Sequence, residues 1–522
     1  MAGETDLTLH LGSYRMAVNA RNSELRGRTP VSSETPVPAG HSGASRPSGP
    51  SRPAFSVRAS DLLKVRAVWI LPLVLGSVVV VLITAFYVGS VVDPLAHLSG
   101  LPVAVVNQDR GAVVGARQVN IGQQVQRGLS DSTVVSGKLA LTDTTLSSAE
   151  QAMDRGASYA TVVIPPGFTA SLLNRAGVSA SGARLERPEI VILTNQRAGT
   201  IGVSLASGVL QPGLAAASRQ IGRQLAALVP AARASSPLTG DFLADPVTDT
   251  TKGYRPLPPH SALGLSAFYI ALLILMCGFL GGTIINSTVD SATGYATTEI
   301  GPKWSQRQPL PINRWNTLVI KWVMAVVLTA LATGFMLLVA VGILRMDAPH
   351  VGLLWLLAWL CSASVAAGTI VLFAVLGSSI GQLLAILLFV YAGLAASGGT
   401  VPLQALPGAL QWLAQIEPLR QILDGTRAIL YFDAQADAGL ARAVTAASLG
   451  LVIWLILGVV VVRWYDRKGY NRLDPELLGY VASSVQQYKS QNTHARQQDA
   501  GNAGRQADSR VAGERTESGP EA

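Results

Sequence analysis

Four charged residues recur at helical spacing in one short stretch of this 522-residue chain: Glu417, Arg420, Asp424 and Arg427. Separations of three and four place them on one helical face, where opposite charges can pair. Pro418 suits the first position of such a helix. Leu419, Ile422, Leu423 and Leu430 add apolar surface beside or opposite the charged face, and Pro402–Ile416 reads as a second amphipathic piece, broken at Pro407-Gly408. A face of this kind either pairs internally in water or lines a path for polar or amphiphilic cargo.

Two other polar segments stand out. Asn107-Gln108-Asp109-Arg110-Gly111 follows a β-type run, and Asn, Asp and Gly there make a tight turn. The same residues, with Asn107, Asp109 and Gly111 at the tip, are candidates for a ligand-facing loop. The stretch Asp290–Trp315 is too long for a minimal turn and holds Glu299, Lys303, Trp304 and Arg307. It reads either as an interfacial loop anchored by Trp and Lys or as a docking surface for a partner.

Catalytic chemistry finds no support. The chain has no G-x-x-x-x-G-K-[ST] loop, whose backbone amides would cradle phosphates, and no G-x-S-x-G elbow. Its six histidines are scattered, and its two cysteines, Cys277 and Cys361, fall inside apolar runs. No metal site, disulfide framework or cofactor is expected. The chain is expected not to be an enzyme, and any nucleotide-driven work must come from a partner.

The elements that position these residues are set by apolar runs. Between His350 and Glu417 the only ionisable side chains are Cys361 and Tyr391, and similar charge-free runs occupy 67–92, 261–289, 322–344 and 443–462. A bilayer core about 30 Å thick takes roughly 20 apolar residues of helix. The expected fold is an α-helical polytopic membrane protein with about six transmembrane helices in a 1+5 layout. The spans are read near 67–89, 262–287, 317–343, 352–376, 380–398 and 443–463, the fourth and fifth joined by a turn at Gly377-Ser378-Ser379. With 49% hydrophobic and 14% charged residues the composition agrees. The net charge of +9 lies in the tails and beside the apolar runs, which follows the positive-inside rule and implies no nucleic acid. The span interiors hold no Asp, Glu or His, which argues against an ion-coupled transporter.

Between the first span and the rest lies a polar insert of domain size, 93–260. Strands are expected at 102–106, 133–141, 159–164 and 188–194, and helices at 117–129, 146–155, 168–173 and 200–228, the last interrupted at Pro212-Gly213. Alternating strands and helices point to an α/β module. Residues 237–260 read as a Pro-rich return to the membrane. The other boundaries expected are a disordered cytoplasmic tail 1–56, an interfacial segment with the first helix at 57–92, a five-helix membrane domain at 261–470 with an external helical loop 399–442, and a mostly disordered cytoplasmic tail 471–522. Lys303, Arg307, Arg314, Lys321, Arg463, Arg467 and Lys468 cluster on one side. That asymmetry puts both termini in the cytoplasm and the insert outside the plasma membrane, and the excess of Arg over Lys with abundant Ala, Val and Gly fits a high-GC bacterial genome. The charged pair of short helices then lies at the outer mouth.

Three local patterns carry a family resemblance: 101–111 (LPVAVVNQDRG), 163–168 (VIPPGF), and 397–407 (SGGTVPLQALP) followed by Pro418-Leu-Arg and Asp424-Gly-Thr-Arg427. In this order, over residues 60–470, the chain resembles YhgE/Pip-type and nitrosoguanidine-resistance-type membrane proteins, which are similar to type-2 ABC exporter permeases. The resemblance implies outward movement of amphiphilic or toxic compounds or of cell-envelope material, a homodimer, and a separate ATPase docked on Ser56–Arg66 and the loop holding Glu299, Lys303, Trp304 and Arg307. Two alternatives stand beside it: a membrane-anchored envelope receptor or scaffold whose insert is the binding module, and an ion-coupled drug efflux protein.

Overall fold

A computed structural model describes residues 66–176, 188–228 and 237–470, except 115, 308 and 311, and the single positions 479 and 483. The expected tail 1–56, the pre-span segment up to 65, and the C-terminal tail apart from those two positions lie outside the described residues. The chain divides after Pro72. Of the first unit only the opening of helix α1 (Arg66–Val91) is described, and all that follows belongs to the second.

After α1 comes an α/β lobe. Its strands are β1 (Leu101–Asn107), β2 (Ala112–Val114), β3 (Arg117–Val119), β4 (Leu139–Asp143), β5 (Ala160–Ile164), β6 (Glu189–Thr194) and β7 (Thr248–Gly253), and its helices are α2 (Ile121–Ser130), α3 (Leu146–Asp154), α4 (Phe168–Arg175), α5 (Thr200–Leu228) and α6 (Pro237–Ala244). Five strands form a sheet in the order β4-β1-β5-β6-β7. β1 runs parallel to both β4 and β5, β6 is antiparallel to β5, and β7 is parallel to β6. The near-continuous apolar run Val103–Val106 is buried, as a central parallel strand covered on both faces requires.

Several expected elements differ. The helix expected at 117–129 begins with strand β3 and becomes helical only at Ile121, because the Asn120 side chain caps it by accepting from the Gln123 amide at 2.8 Å. The strand expected at 133–141 starts at Leu139, after a turn with Gly137 at φ +79°. The return segment is not featureless: it holds α6 and the polar edge strand β7. Pro212 does not interrupt α5. Gly213 is there for packing, since a Cβ at that position would stand 2.7 Å from Val135 Cγ2.

The remaining helices are long and apolar: α7 (Ser266–Ala292), α8 (Arg314–Ile343), α9 (Val351–Ala396) and α12 (Leu440–Lys468). With α5, five helices among the described residues are long and apolar enough to cross a bilayer. Phe335 and Leu449 are 66% and 63% exposed, surface that a bilayer covers and water would not. The chain is mostly helical and is a polytopic, membrane-embedded protein. α5 is long enough to cross, yet its Val209, Leu210, Leu214, Ile221 and Leu225 are buried in the core of the lobe. α9 turns back on itself at Gly377 (φ 79°, ψ 169°), a conformation that suits glycine. A Cβ on Gly368 would lie 3.0 Å from Phe389 Cζ. Residues 21 apart in sequence touch only if the two legs run antiparallel.

Glycines also let α7 approach α9. A Cβ at Gly278 would stand 2.5 Å from the Ser362 carbonyl oxygen, and the Ser362 hydroxyl donates to the Ile274 carbonyl at 2.7 Å. Small residues at such a seam replace the hydrophobic drive that lipid does not supply. Gly278→Ala is expected to cost about 1–3 kcal/mol by overpacking, read as thermal unfolding of the detergent-solubilised chain; an unchanged midpoint would show that the seam yields freely.

Candidate functional site: an end cavity, a capped helical pair and the seat of the lobe

Asn286 and Asp290 stand four residues apart on the last turns of α7, so they share a face. Lys321, from the second turn of α8, reaches between them: its Nζ donates to Asn286 Oδ1 at 2.6 Å and Asp290 Oδ1 at 2.8 Å. Lys321 and Asp290 are each 5% exposed. Removing two charges from water is costly and is offset only by close pairing and added hydrogen bonds. Here the amide of Asn286 supplies one of those bonds. The cluster lines a cavity of about 460 Å³ bounded also by Arg314, Gly377, Tyr465 and Tyr470. Arg314 Nε donates to the Tyr470 carbonyl at 3.2 Å, and its guanidinium lies 5.3 Å from the Tyr465 ring centroid. Tyr465 donates to the Val375 carbonyl at 2.9 Å, tying α12 to the turn of α9. The cavity thus presents cations, one carboxylate and aromatic rims at one end of an apolar bundle, a lining suited to the polar head of an amphiphile.

Sequence reasoning missed this site. Lys321 was expected only as a flanking charge and Asp290 only as the start of a loop. The available signal was the i, i+4 pair Asn286/Asp290 closing an apolar run.

The residues Glu299, Lys303, Trp304 and Arg307 lie on the connection between α7 and α8 at the same end, the first three on a hairpin and Arg307 two residues beyond it. A two-stranded hairpin, β8 (Thr298–Ile300) and β9 (Lys303–Ser305), pairs Glu299 with Trp304 across the strands. Trp304 is 62% exposed.

The opposite end carries the lobe. The Ser99 amide donates to the Gln404 carbonyl at 2.9 Å, Arg197 Nη1 donates to the Tyr431 carbonyl at 3.2 Å, and Arg155 pairs with Asp437 at 2.8 Å. The lobe therefore sits on the connection between α9 and α12, which contains α10 (Gly408–Ile416) and α11 (Pro418–Tyr431).

The charged face of α11 is divided. Arg420 and Asp424 meet at 3.8 Å, and Arg442 of α12 joins Asp424 at 3.5 Å. Burial pushes the Asp424 carboxyl up, while Arg427, Arg420 and Arg442 pull it back. Arg427 turns away, to the Gly398 carbonyl at 3.5 Å, beside Tyr159 of the lobe. Burial raises the Tyr159 phenol above its ordinary value against the pull of Arg427.

Glu417 does not join the face at all. It caps α11, with Oε2 accepting from the Leu419 and Arg420 amides at 2.7 and 3.3 Å, and it is 1% exposed. It lines a cavity with Cys361, ten residues along α9 from Val351 or roughly 15 Å of helix rise. The pair α10–α11 therefore dips among the long helices instead of lying flat at the mouth. This corrects a second expectation: a carboxylate does lie among the spans, carried there by a connection that the span-by-span reading skips.

Asp109 faces inward. It is 7% exposed; its carboxylate accepts from the Gly122 amide at 3.3 Å, the Thr169 amide at 3.2 Å and the Thr169 hydroxyl. Asn107 Oδ1 accepts from the Asp109 amide at 3.0 Å, and a Cβ on Gly111, at φ +76°, would stand 2.6 Å from the Val119 carbonyl oxygen. These residues tie the turn to α2 and α4, and the carboxylate has no free face to offer a ligand. Among the described residues no cluster of His, Cys, Asp and Glu is arranged to hold a metal.

No curated protein matches the sequence. One similar solved structure, a crystal structure described as a domain of an ABC type-2 transporter from Thermotoga maritima MSB8, shares 21% identity over 29% of this chain and 85% of that chain, with a TM-score of 0.21. A superposition that loose establishes neither fold nor function. The family model for DUF3533, protein of unknown function, matches residues 72–460, well over half of the sequence, and the chain belongs to that family.

Proposed function

We propose that this chain is the membrane permease subunit of an exporter, without catalysis of its own, that moves amphiphilic or toxic compounds or envelope material outward. The observation that carries the reading is the cavity of about 460 Å³ at one end of the bundle, with the buried Lys321–Asp290 pair in its wall. It opens at the end opposite the α/β lobe, so cargo entering there meets the lobe only on leaving. The basic residues Lys303, Arg307, Arg314, Arg463, Arg467 and Lys468 gather at the cavity end, which supports a cytoplasmic cavity, an extracytoplasmic lobe and six spans, α9 contributing two.

A transport cycle needs an energy input, and the sequence has no phosphate-binding loop. A separate ATPase is the proposed source, and the exposed Trp304 on hairpin β8–β9 is its proposed seat, with Glu299, Lys303 and Arg307 around it. A homodimer would complete the path, and the resemblance to YhgE/Pip-type proteins supports the same arrangement. The test is purification from native membranes in mild detergent. A nucleotide-binding subunit is expected in stoichiometric amount, and Trp304→Ser together with Lys303→Glu should reduce its recovery at least tenfold. Recovery of the wild-type chain without any ATPase overturns the reading.

One observation favours a second reading, ion-coupled efflux: Glu417 supplies the buried carboxylate that such a transporter uses. It predicts that export stops when the proton gradient is collapsed while ATP is maintained.

A further inference from the structure

Glu417 and Gln421 are four residues apart and line one cavity of about 170 Å³ between α9, α10, α11 and α12. Its other walls are mainly apolar, with Trp454 and Phe389 in edge-on contact, ring centroids 6.2 Å apart. Glu417 is 1% and Gln421 8% exposed. On each side chain the oxygen Oε1 is buried and has no hydrogen-bond partner, although Oε2 of Glu417 is occupied by the start of α11. Among the described residues no cation pairs with Glu417. The ionisable neighbours are few. α10 has none, the α12 wall from Ala443 to Trp454 has none, of the two ionisable side chains of α9 (Cys361 and Tyr391) only the Cys361 thiol lines the cavity, and the Arg420 guanidinium is directed to Asp424 and the Ala414 carbonyl. Two acceptors without donors, one of them a carboxylate, inside apolar and aromatic walls are a recognition pattern. Buried acceptors that go unmet are costly, and a cation beside aromatic faces is favoured.

We propose that this cavity is a binding site for a small hydrophobic amine, whose ammonium is held by Glu417 and Gln421 and whose apolar body lies against Trp454 and Phe389. Size agrees: a dry cavity of roughly 150 Å³ accommodates benzene, so a single ring bearing an aminomethyl group fits. A second cavity adjoins it. Gln421 and Ala446 also border a wider cavity of about 610 Å³ rimmed by Arg420 and Arg442. The site goes beyond the exporter reading and needs no ATPase, so it can be tested on the chain alone.

The experiment is ligand-observed saturation-transfer NMR on the full chain in lipid nanodiscs, with benzylamine and its neutral counterpart toluene as probes and empty nanodiscs as the blank. Wild type should bind benzylamine saturably, at least tenfold more tightly than toluene. Glu417→Gln keeps an oxygen to cap α11 and should lower benzylamine affinity at least tenfold, leaving toluene unchanged. Ala447→Phe fills the cavity from the opposite wall and should abolish both. Absence of saturable benzylamine binding in wild type, or equal benzylamine affinity in Glu417→Gln, overturns the assignment. Should Glu417→Gln fail to fold, Ala447→Phe decides, because benzylamine binding that survives the filling overturns it.

Discussion

Lys321→Met should destabilise the membrane bundle by about 3–5 kcal/mol, the cost of leaving a buried charge behind when its partner is removed. The side chain is nearly isosteric, so packing changes little. What changes is that the Asp290 carboxylate, 5% exposed, loses the ammonium 2.8 Å away, and the Asn286 oxygen loses its donor at 2.6 Å. The double variant Lys321→Met/Asp290→Leu should recover most of the loss, because replacing both members of a buried pair by apolar groups is often neutral or stabilising. Thermal or denaturant unfolding of the purified chain in detergent reads both. A single-variant cost below about 1 kcal/mol would mean that water reaches the pair and solvates the carboxylate. If the pair also lines a cargo path, the double variant separates the two roles: stability returns while transport does not.

Asp109→Ala should destabilise the α/β lobe by about 3–5 kcal/mol. Three donors converge on this carboxylate, from the Gly122 amide, the Thr169 amide and the Thr169 hydroxyl. Each buried donor left without an acceptor costs about 1–3 kcal/mol, and entry of water into the gap recovers part of the sum. Thr169 Oγ1 also accepts from the Ile121 amide at 2.8 Å, so the loss passes to the first turn of α2. Asp109→Asn, which keeps one acceptor, should cost about half as much. Limited proteolysis and hydrogen exchange across residues 101–176 measure the effect directly. If Asp109 served a ligand instead, its removal would spare stability and cost only binding, so unchanged exchange protection in Asp109→Ala would return the turn to the role of a binding loop.

Legibility followed the strength of the local signal. The apolar helices are written in long charge-free runs, and the turn at Gly377 was readable because glycine and two serines interrupt one of them. The buried strands β1, β5 and β6 were also readable, since Val103–Val106 and Ile190–Ile192 are β-branched or apolar without a break. β7 was not. Thr248–Gly253 is polar and mostly exposed at the sheet edge, so no apolar alternation marks it. Asn120 as a helix cap was a local signal left unused, and it sets where α2 begins.

The candidate sites divide along the same line. By itself the sequence determined that this chain is embedded in a membrane, that polar chemistry is confined to a few short stretches, and that Arg420 and Asp424 share a helical face. Those follow from hydropathy and helical period, which are properties of neighbours along the chain. Only the tertiary structure decided that Lys321 is buried against Asp290, 31 residues away, that Arg442 completes the Asp424 cluster, and that Glu417 leaves its own charged face to line a cavity that Cys361 also borders. Each depends on which helix packs against which and at what height. A periodic pattern gives the direction of a side chain around its own axis and nothing about the neighbour it meets, so burial of a charge becomes visible only when the helices are assembled.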